Sequence, residues 1–356
     1  MRTGTAELPL HGGKCPPWLF EKMKELGLAI IEVIVEEYGP GEVLRRLSDP
    51  FWFQALGCVL GFDWHSSGLT TTVCGALKEG ARKRGKDLGV FIAGGKGKTS
   101  RRTPQEIEAA AEAAGVGAAG PRLVYASRMA AKVDNAALQD GYRLYHHAFF
   151  FTAEGRWVVI QQGMHETRPL ARRYHWLGES VGDFVCEPHA GICGEQGGQV
   201  LNMVARESEA ARQASAVMGR EKPERVAAEY RRILESDLVL PHAHAVPGAA
   251  RLERALLNVY EEQPRSFEQL LGLPGVGPKT VRALALISEV VHGARPSFRD
   301  PVRYSFAHGG KDGHPYPVDR DGYRRSIEIL RGALSAARVG YYDRLRALRR
   351  LAALAP

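Results

Sequence analysis

Residues 270–286 read LLGLPGVGPKTVRALAL, and the reading of this stretch decides how the last third of the chain is built. A helical stretch closes at Leu270 and Leu271, Pro-Gly-Val-Gly-Pro interrupts it, and an amphipathic helix resumes at Lys279. Gly275 and Gly277 permit a tight turn whose backbone comes close to another molecule, and Pro278 is pre-set for a helix's first turn. The first amides of a helix have no partner inside it. The N–H groups from Gly275 through Val276 and Gly277 to Lys279 and Thr280 are therefore expected to face outward at a positive helix end. Such an end takes a phosphate oxygen well, and Lys279 and Arg282 add charge beside it. The bland alternative is an αα-hairpin with a glycine turn and no ligand.

The charge distribution agrees with a polyanionic partner. The chain of 356 residues is 44% hydrophobic and 25% charged, with a net charge of +8. From Ala249 onward there are 18 Lys/Arg against 11 Asp/Glu, a balance of +7, which leaves +1 for residues 1–248. A basic terminal module suits a nucleic acid, although a solvated basic surface would carry the same charge. No apolar run approaches the ~20 residues of a membrane helix, so no membrane partner is expected. The opening MRTGTAELPLHGGK lacks the apolar core of a secretory signal. Five scattered cysteines, at 15, 58, 74, 186 and 193, suggest a reducing compartment. The expectation is a cytoplasmic protein.

Local pattern divides the chain in two. Residues 17–38 and 68–84 have apolar positions at helical spacing, and LGVFIAGG (88–95) reads as a short buried strand running into a glycine loop. Thr103-Pro104-Gln105-Glu106 has the form of a capping box. Residues 141–164, GYRLYHHAFFFTAEGRWVVIQQGM, place two aromatic or β-branched runs around TAEGR, as a hairpin should. A helix is expected from about Val200 to Met218. Beyond MGREKPE the texture is helical throughout, at about 222–235, 249–262, 266–272, 320–336 and 340–353. The fold class is therefore α+β. A mixed domain with a small antiparallel sheet spans 1–219, and an all-α domain that carries most of the net positive charge spans 220–356.

The Leu-Pro-Gly-Val-Gly-Pro-Lys-Thr form resembles the helix-hairpin-helix motif of DNA repair and replication proteins, which grips the DNA backbone without reading bases. The neighbouring RLERALLNVYEEQPRSFEQL and the later Val318-Asp319 of PYPVDRDGYRRSIEIL extend the likeness to DNA glycosylases of the endonuclease III type. That resemblance implies a nucleophilic lysine at Lys279 and a catalytic aspartate at Asp319. The chain departs from the pattern in three ways. RPSFRDPVRYSFAHGGKDGH lengthens the spacing between motif and aspartate, Arg320-Asp321 replace the usual threonine-histidine, and no four-cysteine loop follows, so no iron–sulfur cluster is expected. Asp319 also fits a plain helix N-cap, and Lys279 a simple phosphate contact. The first two-thirds is similar to a family known as domain of unknown function 763, on SDPFWFQALGCVLGFDWHSSGLTTTVCGALKEG, KVDNAALQDGYRLYHH and HGGKDG, and Lys311 in the last of these is a further candidate DNA contact.

Chemistry in that first part has to be read from the residues. GGKGKTSRR (94–102) crowds Lys96, Lys98, Arg101 and Arg102 around glycines, as a phosphate-gripping loop would. Ile92 stands where a P-loop needs its first glycine, which argues against nucleotide hydrolysis. Cys186, His189 and Cys193 have a spacing compatible with zinc, but no fourth ligand is evident. Asp134, Asp140 and Glu187 are available to a metal-dependent nuclease. Adjacent strand residues point oppositely, so at most one of His146 and His147 can face any one site. His65 could be a base or a capping residue.

Three classes of function follow. The first is a DNA repair enzyme of glycosylase or AP-lyase type acting on duplex, damaged or branched DNA with Lys279 and Asp319. The second is a nuclease with a divalent metal ion in the first domain. The third is a non-enzymatic structure-specific nucleic-acid binder. No cofactor other than that metal ion is implied.

Overall fold

The strand Tyr142–Thr152 carries large apolar or aromatic side chains on both faces, so both faces of its sheet have to be covered by helices. The computed structural model, which describes residues 8–10, 14–62, 67–236, 246–302, 320–337 and 339–354, is built on that requirement. In chain order the helices α1 (Pro17–Tyr38), α2 (Pro40–Ser48), α3 (Pro50–Leu60), α4 (Gly68–Ala81) and α5 (Gly85–Leu88) lead into strand β1 (Val90–Lys96). Next come α6 (Thr103–Ala113), α7 (Gly120–Lys132) and the strands β2 (Leu138–Gln139), β3 (Tyr142–Thr152), β4 (Trp157–His165), β5 (Ala171–Leu177), β6 (Gly191–Cys193) and β7 (Leu201–Asn202). The remainder is helical: α8 (Glu209–Met218), α9 (Pro223–Leu234), α10 (Ala249–Glu262), α11 (Phe267–Gly272), α12 (Pro278–His292), α13 (Arg320–Ala336) and α14 (Tyr341–Leu354).

Among the described residues, five strands form one antiparallel sheet in the order β1-β3-β4-β5-β6, and β2 pairs with β7. The β3–β4 hairpin turns at 153–156, as TAEGR implied, with Phe151 opposite Trp157 and Gly155 at φ +79°. Strand alternation sends Phe150, Val158 and Ile160 into one core with α1–α4. It sends Phe149, Phe151, Val159, Tyr174 and Trp176 into the other with α6, α7 and the helices that follow. The fold is thus α+β, in three layers. α3 shows how local sequence serves this plan. Asp49 accepts from the amides of Phe51 and Trp52, Pro50 occupies the first turn, and Gly61 ends the helix in the left-handed region. All eleven residues between are buried.

Residues 220–356, read above as one all-helical unit, supply both outer layers. Side chains of α9–α12 join the core that contains Phe149 and Trp176, while Leu330, Ala333, Leu334, Ala347 and Leu351 of α13 and α14 join the core of α1 and α3. Gly219 itself is enclosed: a Cβ there would meet Leu270 at 2.8 Å and Val259 at 3.1 Å.

One expected helix is shorter than its sequence suggested. Residues 200–205 are not helical, Arg206–Ser208 make a 3-10 turn, and α8 starts only at Glu209. Asn202 holds this backbone extended, since its side chain accepts from Val204 N and donates to Arg299 O, while its amide donates to Ser297 O.

Strand β5 contains two consecutive arginines, both fully buried. Arg172 lies between two carboxylates, at 2.9 Å from Asp140 and 2.8 Å from Asp300, and its guanidinium stacks on Tyr142 at 4.5 Å. Asp300 also accepts from the amides of Gly197 and Val302. The segment after α12, read from sequence as an insertion, is thereby moored to the sheet as far as residue 302. Asp300→Ala leaves Arg172 paired with Asp140 but takes the acceptor from the amides of Gly197 and Val302 and from one side of the guanidinium. It should cost about 1–3 kcal/mol, visible as a lower urea midpoint. A loss under about 1 kcal/mol would show that the mooring is dispensable.

Candidate functional site

The turn between α11 and α12 is held from beneath by side chains distant in sequence. Lys132, at the end of α7, donates to the carbonyls of Leu273 (3.2 Å) and Val276 (2.6 Å). Gln139 of β2 donates to the carbonyl of Pro278 at 2.8 Å and to that of Ala136. Three turn carbonyls therefore face the protein. The amides of Gly275, Gly277, Lys279 and Thr280 have no acceptor among the described residues, and α12 has no side-chain cap. Gly275, at φ +84°, and Gly277 have nothing within 4 Å of where a Cβ would stand. Lys279 is exposed and has no ion pair among the described residues.

Not every residue expected at this turn presents its side chain. Val276 and Thr280 are buried, so they offer the turn a backbone only. Arg282 is half-buried, and burial lowers its pKa, with Glu166 of the β4–β5 turn opposing that shift. It packs toward the sheet's end rather than standing free beside Lys279. Asp319 and Lys311 lie outside the described residues, as does His65.

The glycine-rich basic loop lies at the same end of the sheet as this turn. β1 finishes at Lys96 opposite His146, near where β3 begins at Tyr142 opposite the end of β4. Gln139, three residues before Tyr142, holds the α11–α12 turn. Lys96 at the end of β1, and Lys98, Arg101 and Arg102 on the 3-10 turn that follows, Gly97–Arg102, are all exposed. The expected capping box at Thr103 is absent. Thr103 Oγ1 donates to Ser100 O, and Glu106 instead accepts from Gly94 N (2.8 Å) and pairs with Lys78 (2.6 Å). Gly94 could be no other residue, because a Cβ would stand 2.2 Å from His147 O. Glu106 thus fixes the root of the loop instead of capping its own helix.

Between these surfaces runs a buried hydrogen-bonded chain. Ser127 donates to His147 Nε2 (2.9 Å), and His147 Nδ1 donates to Gln161 Oε1 (2.8 Å). Gln161 Nε2 in turn donates to Asp134 at 2.5 Å, Trp176 Nε1 donates to the same oxygen at 3.0 Å, and His189 Nε2 meets the other oxygen at 2.5 Å. Burial lowers the pKa of His147 and keeps it neutral, which fixes the direction of the chain. Asp134 sits on a π-helical turn, Val133–Ala137, between Lys132 and Gln139. The chain therefore pins the segment that carries both hairpin-holding residues. Sequence reading missed Lys132 and Gln139, which lie about 140 residues from the carbonyls they hold.

The same contacts disperse the metal-ligand candidates. His189 is turned toward Asp134, whereas Cys193 lies on the opposite face of the sheet against Arg173, and Cys186 is a half-buried free thiol. Asp140 is committed to Arg172, and Glu187 lies beside Arg206. Among the described residues no group of three or more His, Cys, Asp or Glu side chains could hold a metal ion.

Residues 4–318 match the family described as "Protein of unknown function (DUF763)". No curated protein and no solved structure matches the chain.

The histidines at the sheet's polar end make stability depend on pH. Burial, with His147 and Lys96 adding, pushes His146 down to about 3, and burial likewise lowers His147 and His175. The unfolded chain takes up a proton at each below about pH 6.5, while the folded chain holds them neutral. Stability should therefore be fully present above that pH and fall by about 1.4 kcal/mol per unit and per histidine as the pH drops toward the folded pKa values. His146→Asn should remove about one histidine's share of that slope in urea titrations between pH 6 and 4. An unchanged slope would mean that His146 titrates normally.

Proposed function

We propose that this chain, which belongs to the family described as "Protein of unknown function (DUF763)", is a DNA repair enzyme that binds the sugar–phosphate backbone at the α11–α12 turn and works on abasic sites with the amine of Lys279. The observation that carries the reading is the turn's polarity. With its carbonyls drawn inward by Lys132 and Gln139, it offers free amides beside a lysine that has no ion pair among the described residues, with open space around two glycines among those residues. Such a surface suits an anion that must approach backbone closely. It recognises phosphate rather than base edges, so binding should show little sequence preference. Lys96, Lys98, Arg101 and Arg102, at the same end of the sheet, would lengthen the phosphate track.

In this reading the neutral Lys279 amine attacks the C1′ aldehyde carbon of an abasic sugar, and water leaves as the imine forms. Loss of a C2′ proton then expels the 3′ phosphate, and water returning to C1′ releases the amine. Asp319 is proposed as the carboxylate that assists proton transfer. The metal-dependent nuclease has less support, because Asp134, Asp140 and Glu187 each have other partners and do not converge.

Borohydride should trap the wild type covalently on a duplex with one abasic site, with or without a chelator. Lys279→Ala should abolish trapping while binding persists. Failure to trap the wild type, or trapping by Lys279→Ala, would sink the lyase chemistry. Strand cleavage that disappears on chelation would point to the nuclease. Duplex binding should weaken by one to two orders of magnitude between 50 and 200 mM salt, as a few phosphate contacts require. Gly277→Val should weaken it about tenfold at fixed salt by keeping the backbone from the phosphate. Equal affinity in that variant would remove the turn from the interface.

A further inference from the structure

The three most exposed large apolar side chains among the described residues are all aromatic: Tyr342 at 74%, Tyr341 at 70% and Trp18 at 64%. They lie on the helical layer opposite the one that contains the α11–α12 turn, because α1 and α14 belong to the core of the other sheet face. Trp18 stands in the first turn of α1, and the two tyrosines open α14, where their rings touch edge to face at 5.6 Å between centroids. The two helices are joined by an ion pair between Lys22 and Asp343 at 3.1 Å. Between them runs a groove of about 220 Å³ with an apolar floor that includes Leu19, Leu26 and Val339 and a charged rim of Lys22, Glu25, Asp343, Arg346 and Arg350, with Trp18 at its edge. That is below the roughly 300 Å³ at which small-molecule sites begin, and it suits a single planar ring better than a cofactor.

The charge of this surface narrows the occupant. α14 reads YYDRLRALRRLAAL, with four arginines against one aspartate. Arg346 and Arg349 are exposed, and Asp343 is shared by Lys22 and Arg346. Protein interfaces also concentrate tyrosine, tryptophan and arginine, so it is the surplus of positive charge on α14 that points to a polyanion. Exposed aromatic faces edged with arginines match the way unpaired bases are held, with rings stacking on side chains while the backbone follows positive charge. Every base has a π face, so such a platform needs no sequence.

We infer that Trp18, Tyr341 and Tyr342 form a stacking platform for single-stranded nucleic acid, with the exposed Arg346 and Arg349 of α14 along its backbone path. The inference extends the nucleic-acid reading given above, but its site shares no residue with the α11–α12 turn. A chain with both surfaces would engage DNA that is part duplex and part single strand, as at a gap, a flap or an unwound lesion.

A 20-nucleotide oligo(dT) labelled for fluorescence anisotropy tests this with the full chain. The wild type should bind it and lose tryptophan emission on binding, the signature of a ring stacked on Trp18. Trp18→Ala and Tyr342→Ala should each weaken binding about tenfold, and Tyr342→Phe should remain within twofold of wild type. Thermal midpoints within a few degrees of wild type would show that the variants fold. Blunt duplex binding should be unchanged in Trp18→Ala and reduced in Gly277→Val, so the two surfaces fail separately. Loss of duplex binding alone would discard the turn and leave the platform standing. Oligo(dT) affinity that is undetectable in wild type, or unchanged in the Trp18→Ala/Tyr342→Ala double variant, would overturn the proposal. So would a wild-type dimer that this double variant converts to monomer without altering oligo(dT) affinity, because the patch would then be a protein interface.

Discussion

A fully buried carboxylate, Asp134, is the constraint on which the arrangement around the hairpin depends. Isolated in a protein interior, an ionised carboxylate is very costly, and only donors can offset that cost. Three elements supply them: Gln161 from β4, Trp176 from β5 and His189 from the loop before β6. None of these side chains could be replaced by an apolar one without leaving the charge short of a partner. The π-helical turn that carries Asp134 is consequently locked in position on the sheet, and its two flanks are aimed in fixed directions. Lys132 on one flank and Gln139 on the other reach the same short turn between α11 and α12. A glycine-rich turn would otherwise have wide conformational freedom. Here its peptide planes are oriented by bonds to a rigid support.

That support changes what the glycines mean. A Pro-Gly-Val-Gly-Pro turn between two helices allows close approach by another chain, but it does not dictate which way its peptide groups face. The lysine and glutamine set the direction. Burial lowers the pKa of Lys132, yet its contacts are to carbonyl dipoles and not to a carboxylate. It is a cation committed to backbone, a use that leaves no mark in local sequence.

Much of the fold was legible because most of its helices announce themselves by period and punctuation. α1, α9, α10, α11, α13 and α14 fall within a residue or two of the ranges read from apolar spacing, and the β3–β4 hairpin turns where TAEGR said it would. β5 was hidden because ARRYHWL breaks the apolar alternation that identifies strands. Its arginines are buried only because Asp140 and Asp300 on one side and Gln54 and Thr70 on the other satisfy them. Those partners lie from 32 to 128 residues away. At the site, the glycines, Lys279 and the basic loop were visible as local pattern. The burial of Val276 and Thr280 and the dispersal of Cys186, His189 and Cys193 could not be, since which face of a sheet a residue occupies depends on pairing that sequence spacing does not encode. The diversion of Glu106 from its own helix to Gly94 and Lys78 has the same origin: a tertiary partner outcompeted the local one.

The seating of α13 and α14 on α1 and α3 has a consequence for how the molecule comes into being. Those first helices emerge from the ribosome some 270 residues before the helices that cover them, yet Leu330, Leu334 and Leu351 complete their core. At ordinary synthesis rates of about 5–20 residues per second, that apolar surface stays uncovered for many seconds. The nascent chain passes through an interval in which its earliest helices are formed but unroofed, a species with the stickiness of a folding intermediate and the lifetime of translation itself.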